Sequence, residues 1–129
     1  MKKVKFIVEK TKDSYSAWNE DLSNGIAATM GDTIAELRAN AVESYNLLIA
    51  DTGKKQISED DIQLVFNLGQ FFDYYKVINV RALAQRMGMN YTLLSQYISG
   101  AKTPSEKQTQ KVLAGVKQLG KELYEGDFV

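Results

Sequence analysis

The chain has 129 residues, 44% of them apolar, enough for one sizeable domain or two small ones with packed cores. It contains no cysteine and no histidine, which excludes disulfides, thiolate metal sites, cysteine nucleophiles and histidine acid–base chemistry together. The formal net charge of zero hides a segregation: Lys76 to Tyr124 holds eight basic and two acidic residues, whereas residues 1–75 hold eight basic and twelve acidic ones. No apolar run approaches the roughly 18–20 residues of a membrane span, and no N-terminal signal pattern is seen, so a cytoplasmic location is expected.

The first half has the rhythm of a small sheet. Lys3 to Glu9 alternates, with Val4, Phe6 and Val8 on one face, and predicts a strand. Lys12-Asp13-Ser14 is a turn, and Tyr15 to Trp18 a returning strand whose aromatic residues are expected to fill the core. Asn24-Gly25 is a further turn signal, after which Ile26, Ala28 and Met30 alternate on a third strand. Asp32 or Thr33 can cap the helix that follows, with Glu36 at capping-box spacing from Thr33. Ile34, Leu37, Ala41, Tyr45 and Leu48 form its apolar stripe, and Asp51-Thr52-Gly53 ends it. Ile62 to Leu68 alternates again as a fourth strand. The expected fold class is α+β: a small antiparallel sheet with one helix, in the order βββαβ, followed by an all-helical domain. The domain boundary falls between residues 68 and 69.

In the second half, Phe71, Phe72, Tyr74, Tyr75 and Ile78 are placed on a bracing helix, as core or dimer contacts rather than a base-stacking platform. Val80 to Ser105 then reads as a helix-turn-helix. Ala84 is the small residue at the helix crossing and Gly88 the turn. Leu83, Met87, Met89, Leu94, Tyr97 and Ile98 supply buried positions. Asn90 caps a second helix over Tyr91 to Ser99, and Gly100 stops it. Ser105 and Gln108 form a capping box for a last helix striped with Val112, Val116, Leu119 and Leu123. The plain alternative is an ordinary helical hairpin in an all-helical core. That the motif coincides with the basic part of the chain favours DNA.

On the second helix, Tyr91, Thr92, Gln96 and Ser99 project away from the buried stripe, with Ser95 close to the same face. Gln96 can pair with adenine and Thr92 can meet a base edge. Asn90 and Lys102 are better placed for phosphates. Glu59, Asp60 and Asp61 are consecutive, so their side chains diverge and suit a solvated loop better than a metal cage. Asp21, Asp32, Glu36 and Glu43 have no acid–base partner. Neither catalysis, a metal nor a cofactor is expected.

The stretch Gly31-Asp32-Thr33-Ile34-Ala35-Glu36-Leu37 with Asn40-Ala41-Val42-Glu43, set after three strands and before a fourth, resembles the HicB antitoxins of bacterial toxin–antitoxin systems. Leu83-Ala84, Met87-Gly88-Met89-Asn90, Leu94-Ser95, Gly100 and Pro104-Ser105 resemble the Xre-type helix-turn-helix that some HicB proteins carry. The resemblance implies that residues 1–68 form a toxin-binding domain akin to a partial, inert RNase H fold. Its partner would be a HicA-type ribonuclease toxin that cleaves mRNA. Residues 69–129 would dimerise, or assemble further, and repress the operon by binding double-stranded operator DNA. The segment Leu22-Ser23-Asn24-Gly25-Ile26 departs from the Pro-Gly-Cys-like turn of many relatives. A stand-alone transcriptional regulator, whose N-terminal domain senses a ligand or a protein other than a toxin, is the competing reading.

Overall fold

A computed structural model describes residues 3–128, which form two compact units dividing between Phe71 and Phe72. The first unit is a four-stranded sheet with a helix on one face. Strand β1 (Val4–Lys10) lies between β2 (Tyr15–Asn19) and β4 (Ile62–Phe66), and β3 (Ala28–Gly31) pairs with β2 at the edge. Helix α1 (Ile34–Ile49) connects β3 to β4. The expected all-antiparallel sheet is corrected here: β4 runs parallel to β1, so the sheet is mixed. The cause is the crossover. Strands β1 and β3 point the same way because each is antiparallel to β2, and α1 returns the chain to the end where β1 starts.

The register separates two faces. Phe6, Val8, Ala17, Ile62 and Leu64 are buried under Leu37 and Ala41 of α1, with Ile34, Tyr45 and Leu48 packed around them. This matches the expected helix stripe, and it places the core between α1 and one face of the sheet. Two expectations for the strands are overturned. On β3 and the two residues before it, Ile26, Ala28 and Met30 are exposed, whereas Ala27 and Gly31 are buried. Thr29 lies opposite buried Ala17, so the inward set is the other parity. Likewise Tyr15 packs against the core while Trp18 takes the opposite face, in one cross-strand row with Val65, Ile7 and Ala28. Period-two alternation leaves Trp18 no access to the side that Ala17 and Asn19 occupy.

Short polar bonds fasten this unit. Thr33 Oγ1 accepts the Glu36 N–H, so Thr33 and not Asp32 caps α1. Gly31 sits where a Cβ would stand 2.5 Å from the backbone nitrogen of Leu37, which makes glycine the residue that lets α1 start so close to β3. Buried Asn19 accepts from Ala27 N–H and donates to the carbonyls of Asp21 and Gly25, ordering the loop between β2 and β3. Asn46 exchanges two hydrogen bonds with the backbone of Ile57, holding the loop after α1.

Strand β4 ends at Phe66, two residues before the expected Leu68. Asn67 Oδ1 accepts the Gln70 N–H and turns the chain into α2 (Leu68–Tyr74), where Leu68 is buried. The side chain of Gln70 bonds both the N–H and the carbonyl of Lys10. The division between units thus falls inside α2. Tyr75 and Ile78 lie beyond its end, a correction to the longer bracing helix, because the chain turns between Tyr75 and Ile78.

The second unit is helical: α3 (Val80–Met87), α4 (Tyr91–Ser99) and α5 (Glu106–Glu125) follow one another with short connections. Phe72, Leu83, Ala84, Leu94, Tyr97 and Val112 are among its buried apolar residues. The last helix begins with the expected capping box, Ser105 and Gln108 each bonding the other's backbone N–H. Its stripe is covered only in part: Val112 is fully buried, Val116 and Leu119 half-buried and Leu123 exposed. No helix among the described residues is long and apolar enough to cross a membrane.

Candidate nucleic-acid interface

The connection from α3 to α4 is built by local chemistry. Gly88 takes the left-handed conformation (φ 67°), the Met89 N–H reaches the Ala84 carbonyl at 2.9 Å and the Gly88 N–H reaches that of Gln85 at 3.1 Å. This is the paired bonding of a glycine-terminated helix. It uses both residues singled out for the turn, Ala84 as a fully buried contact and acceptor, Gly88 as the bend. Asn90 then caps α4, its Oδ1 accepting from Thr92 N–H at 2.8 Å and Leu93 N–H at 3.3 Å. That commitment leaves the Asn90 side-chain N–H₂ as the group it can offer outward. Gly100 (φ 84°) closes α4, and the Lys102 N–H bonds back to the Gln96 carbonyl. Lys102 is thereby fixed beside the end of the helix, with its side chain exposed.

The expected reading residues share one side of α4. At about 100° of turn per residue, Tyr91, Thr92, Ser95, Gln96 and Ser99 fall within an arc of about 140°. Buried Leu94 and Tyr97 occupy the opposite side. Thr92 and Ser99 are exposed, whereas Tyr91, Ser95 and Gln96 are half-buried. The hydroxyl of Ser99 donates to the Gln96 carbonyl at 3.3 Å and accepts from Ala101 N–H at 3.4 Å, long bonds that a better acceptor or donor can replace.

Charge in this unit is not uniformly free. Arg86, in the last turn of α3, pairs with Glu122 of α5, both about half exposed. The hydrogen bond and the charge of Glu122 raise the Arg86 pKa above its ordinary value. The hydrogen bond from Arg86, then that from Gln118, hold the Glu122 carboxyl below its own. Lys76 stands 3.6 Å from Asp73, with both side chains well exposed. Arg81 is different: its guanidinium carbon lies 4.2 Å from the centroid of the Tyr91 ring. Arg81 entered the sequence reading only as part of a charge count. No local signal joins it to Tyr91, because the pairing exists only once the Gly88 turn has folded α4 back toward α3.

The acidic cluster takes a structural part. Glu59–Asp61 form a 3-10 turn in which Asp61 Oδ2 accepts from the backbone and hydroxyl of Ser58. Among the described residues no group of three or more His, Cys, Asp or Glu side chains is arranged to hold a metal ion. No protein-family model, no curated protein and no solved structure matches this chain.

Proposed function

We propose that this protein is a cytoplasmic antitoxin and autorepressor: its C-terminal unit binds operator DNA as a homodimer or larger assembly, and its N-terminal unit binds and neutralises a HicA-type mRNA-cleaving toxin. It has no catalytic activity of its own and needs no cofactor. The observation that carries the DNA-binding part is the α4 face, where five polar or amphipathic residues stand opposite a buried stripe, on a helix fixed by the Gly88 turn and the Asn90 cap. A short helix of this kind fits a major groove, and a two-fold pair of them multiplies the few bases each can read. The +6 net charge of Lys76 to Tyr124 supports phosphate attraction. The toxin-binding part rests on the resemblance of Gly31 to Glu43, together with the βββαβ order of the unit that contains them. In this reading that unit is an inert, partial RNase H-like fold.

The test is co-expression of the full chain with the protein encoded beside it, read by co-purification, by growth and by binding of the chain to upstream DNA. Gln96→Ala should relax base preference at one position, costing about 1–3 kcal/mol at the best site, and should leave neutralisation intact. A chain that leaves its neighbour toxic, or whose Gln96→Ala variant discriminates sites like the parent, refutes the corresponding half of the reading.

A further inference from the structure

We propose that Arg81, held over the ring of Tyr91, contacts a backbone phosphate of duplex DNA, and that Arg86 on the same helix is withheld from DNA by Glu122. The inference rests on the DNA-binding reading above and adds to it a residue that reading did not contain. Arg81 is exposed on α3, and no carboxylate among the described residues is paired with it. Its guanidinium lies over the half-buried ring of Tyr91 at 4.2 Å. Attraction to a ring confines the guanidinium without supplying a conventional hydrogen-bond acceptor, so its N–H donors remain available to an outside one. A phosphate oxygen suits that fork of donors. Tyr91 is the first residue of α4, beside the cap Asn90 and next to Thr92, so the cation over its ring stands at the edge of the proposed reading face. One guanidinium nitrogen of Arg86 is engaged by Glu122, and a contact between Arg86 and a phosphate would have to compete with that pair.

The experiment uses the full-length chain and a mixed-sequence DNA duplex, with affinity measured across a salt series. Arg81→Ala should lower the slope of log affinity against log salt by about 0.9 per bound protomer and weaken binding roughly tenfold near 0.1 M salt. The loss should be the same on every sequence. Arg81→Lys keeps the charge without the fork, so its slope should stay with the parent while affinity falls. Tyr91→Leu should weaken binding more in the parent than in the Arg81→Ala background. The double variant Arg86→Gln, Glu122→Gln should leave the slope unchanged. An unchanged slope for Arg81→Ala, or an equal drop for the double variant, overturns the proposal while leaving DNA binding standing. A parent chain that binds no duplex at any salt overturns the DNA-binding reading itself.

Discussion

In the N-terminal unit the contacts that decide the fold join residues far apart in the chain, whereas in the C-terminal unit most of them lie within a few residues of one another. Val4 pairs with Ile62, Gln70 binds the backbone of Lys10, and Gly31 must accept the start of α1. Around α3 and α4 the decisive bonds run from Gly88 and Met89 to Gln85 and Ala84, and from Thr92 and Leu93 to Asn90. The first unit is specified by register and close approach, the second by caps and turns over a small core. A substitution should therefore act by steric conflict in one unit and by backbone conformation in the other.

The largest effect is expected at Gly31. A methyl group there would meet the backbone of Leu37 at 2.5 Å to N and 2.7 Å to Cα, and backbone cannot swing aside as a flexible side chain can. Gly31→Ala should destabilise the N-terminal unit by about 3 kcal/mol, at the upper end of overpacking costs. Urea unfolding followed by Trp18 fluorescence reads this unit directly, since Trp18 is the single tryptophan and lies on β2. An unaltered midpoint would mean that α1 does not enter the sheet layer as described.

Gly88 tests the other kind of specification. Its φ is 67°, yet nothing lies within 4 Å of where a Cβ would be, so a side chain has room and only the backbone objects. Gly88→Val should cost about 1–2 kcal/mol of stability in the C-terminal unit, from left-handed strain alone. Gly88→Asn, which tolerates that region, should cost clearly less. Thermal melting by circular dichroism at 222 nm separates the two variants, and equal losses would point to a steric cause that the open surroundings of Gly88 do not supply.

The same contrast explains what was legible in the sequence. The caps and turns of the helical half were readable: Asn90, Gly88, Gly100, Ser105 and Gln108 act through neighbours within a few positions, and each caps or ends its helix as expected, whereas Met87, Met89 and Ile98 are only partly buried. In the sheet half the order of elements and the α1 stripe were readable, because periodicity is also local. The parallel β1–β4 pairing was not, since strand direction is settled by where α1 delivers the chain. The inward parity of β3 was misread because apolar Ile26 and Met30 outweighed Thr29 and Gly31 in the pattern, although Ala17 and the Leu37 backbone select the smaller residues. On the candidate interface, the α4 face was legible from helical spacing. Arg81 was not, because its partner Tyr91 lies across a turn.

The smallest effect concerns the ion pair between Arg86 and Glu122 in the C-terminal unit, and it gives that unit a pH dependence that caps and turns cannot. Glu122 titrates below its ordinary value because it accepts hydrogen bonds from Arg86 and Gln118. Over the window between that lowered value and the ordinary glutamate range near about 4.3, the unfolded chain binds more protons than the folded one. Stability from the pair is therefore fully present above the ordinary range and is lost as pH falls through the lowered folded value. Arg86 stays protonated throughout, so its raised pKa adds no dependence at accessible pH. With 42% and 47% of the two side chains exposed, water and salt screen the attraction and the contribution is small. Melting temperature of the C-terminal helices, followed from neutral to acid pH, should decline slightly more steeply in the parent than in Glu122→Gln, and added salt should narrow the difference. Superimposable acid limbs in low salt would show that Arg86 and Glu122 do not hold α3 against α5 in solution, leaving the turn and the caps to order that unit without them.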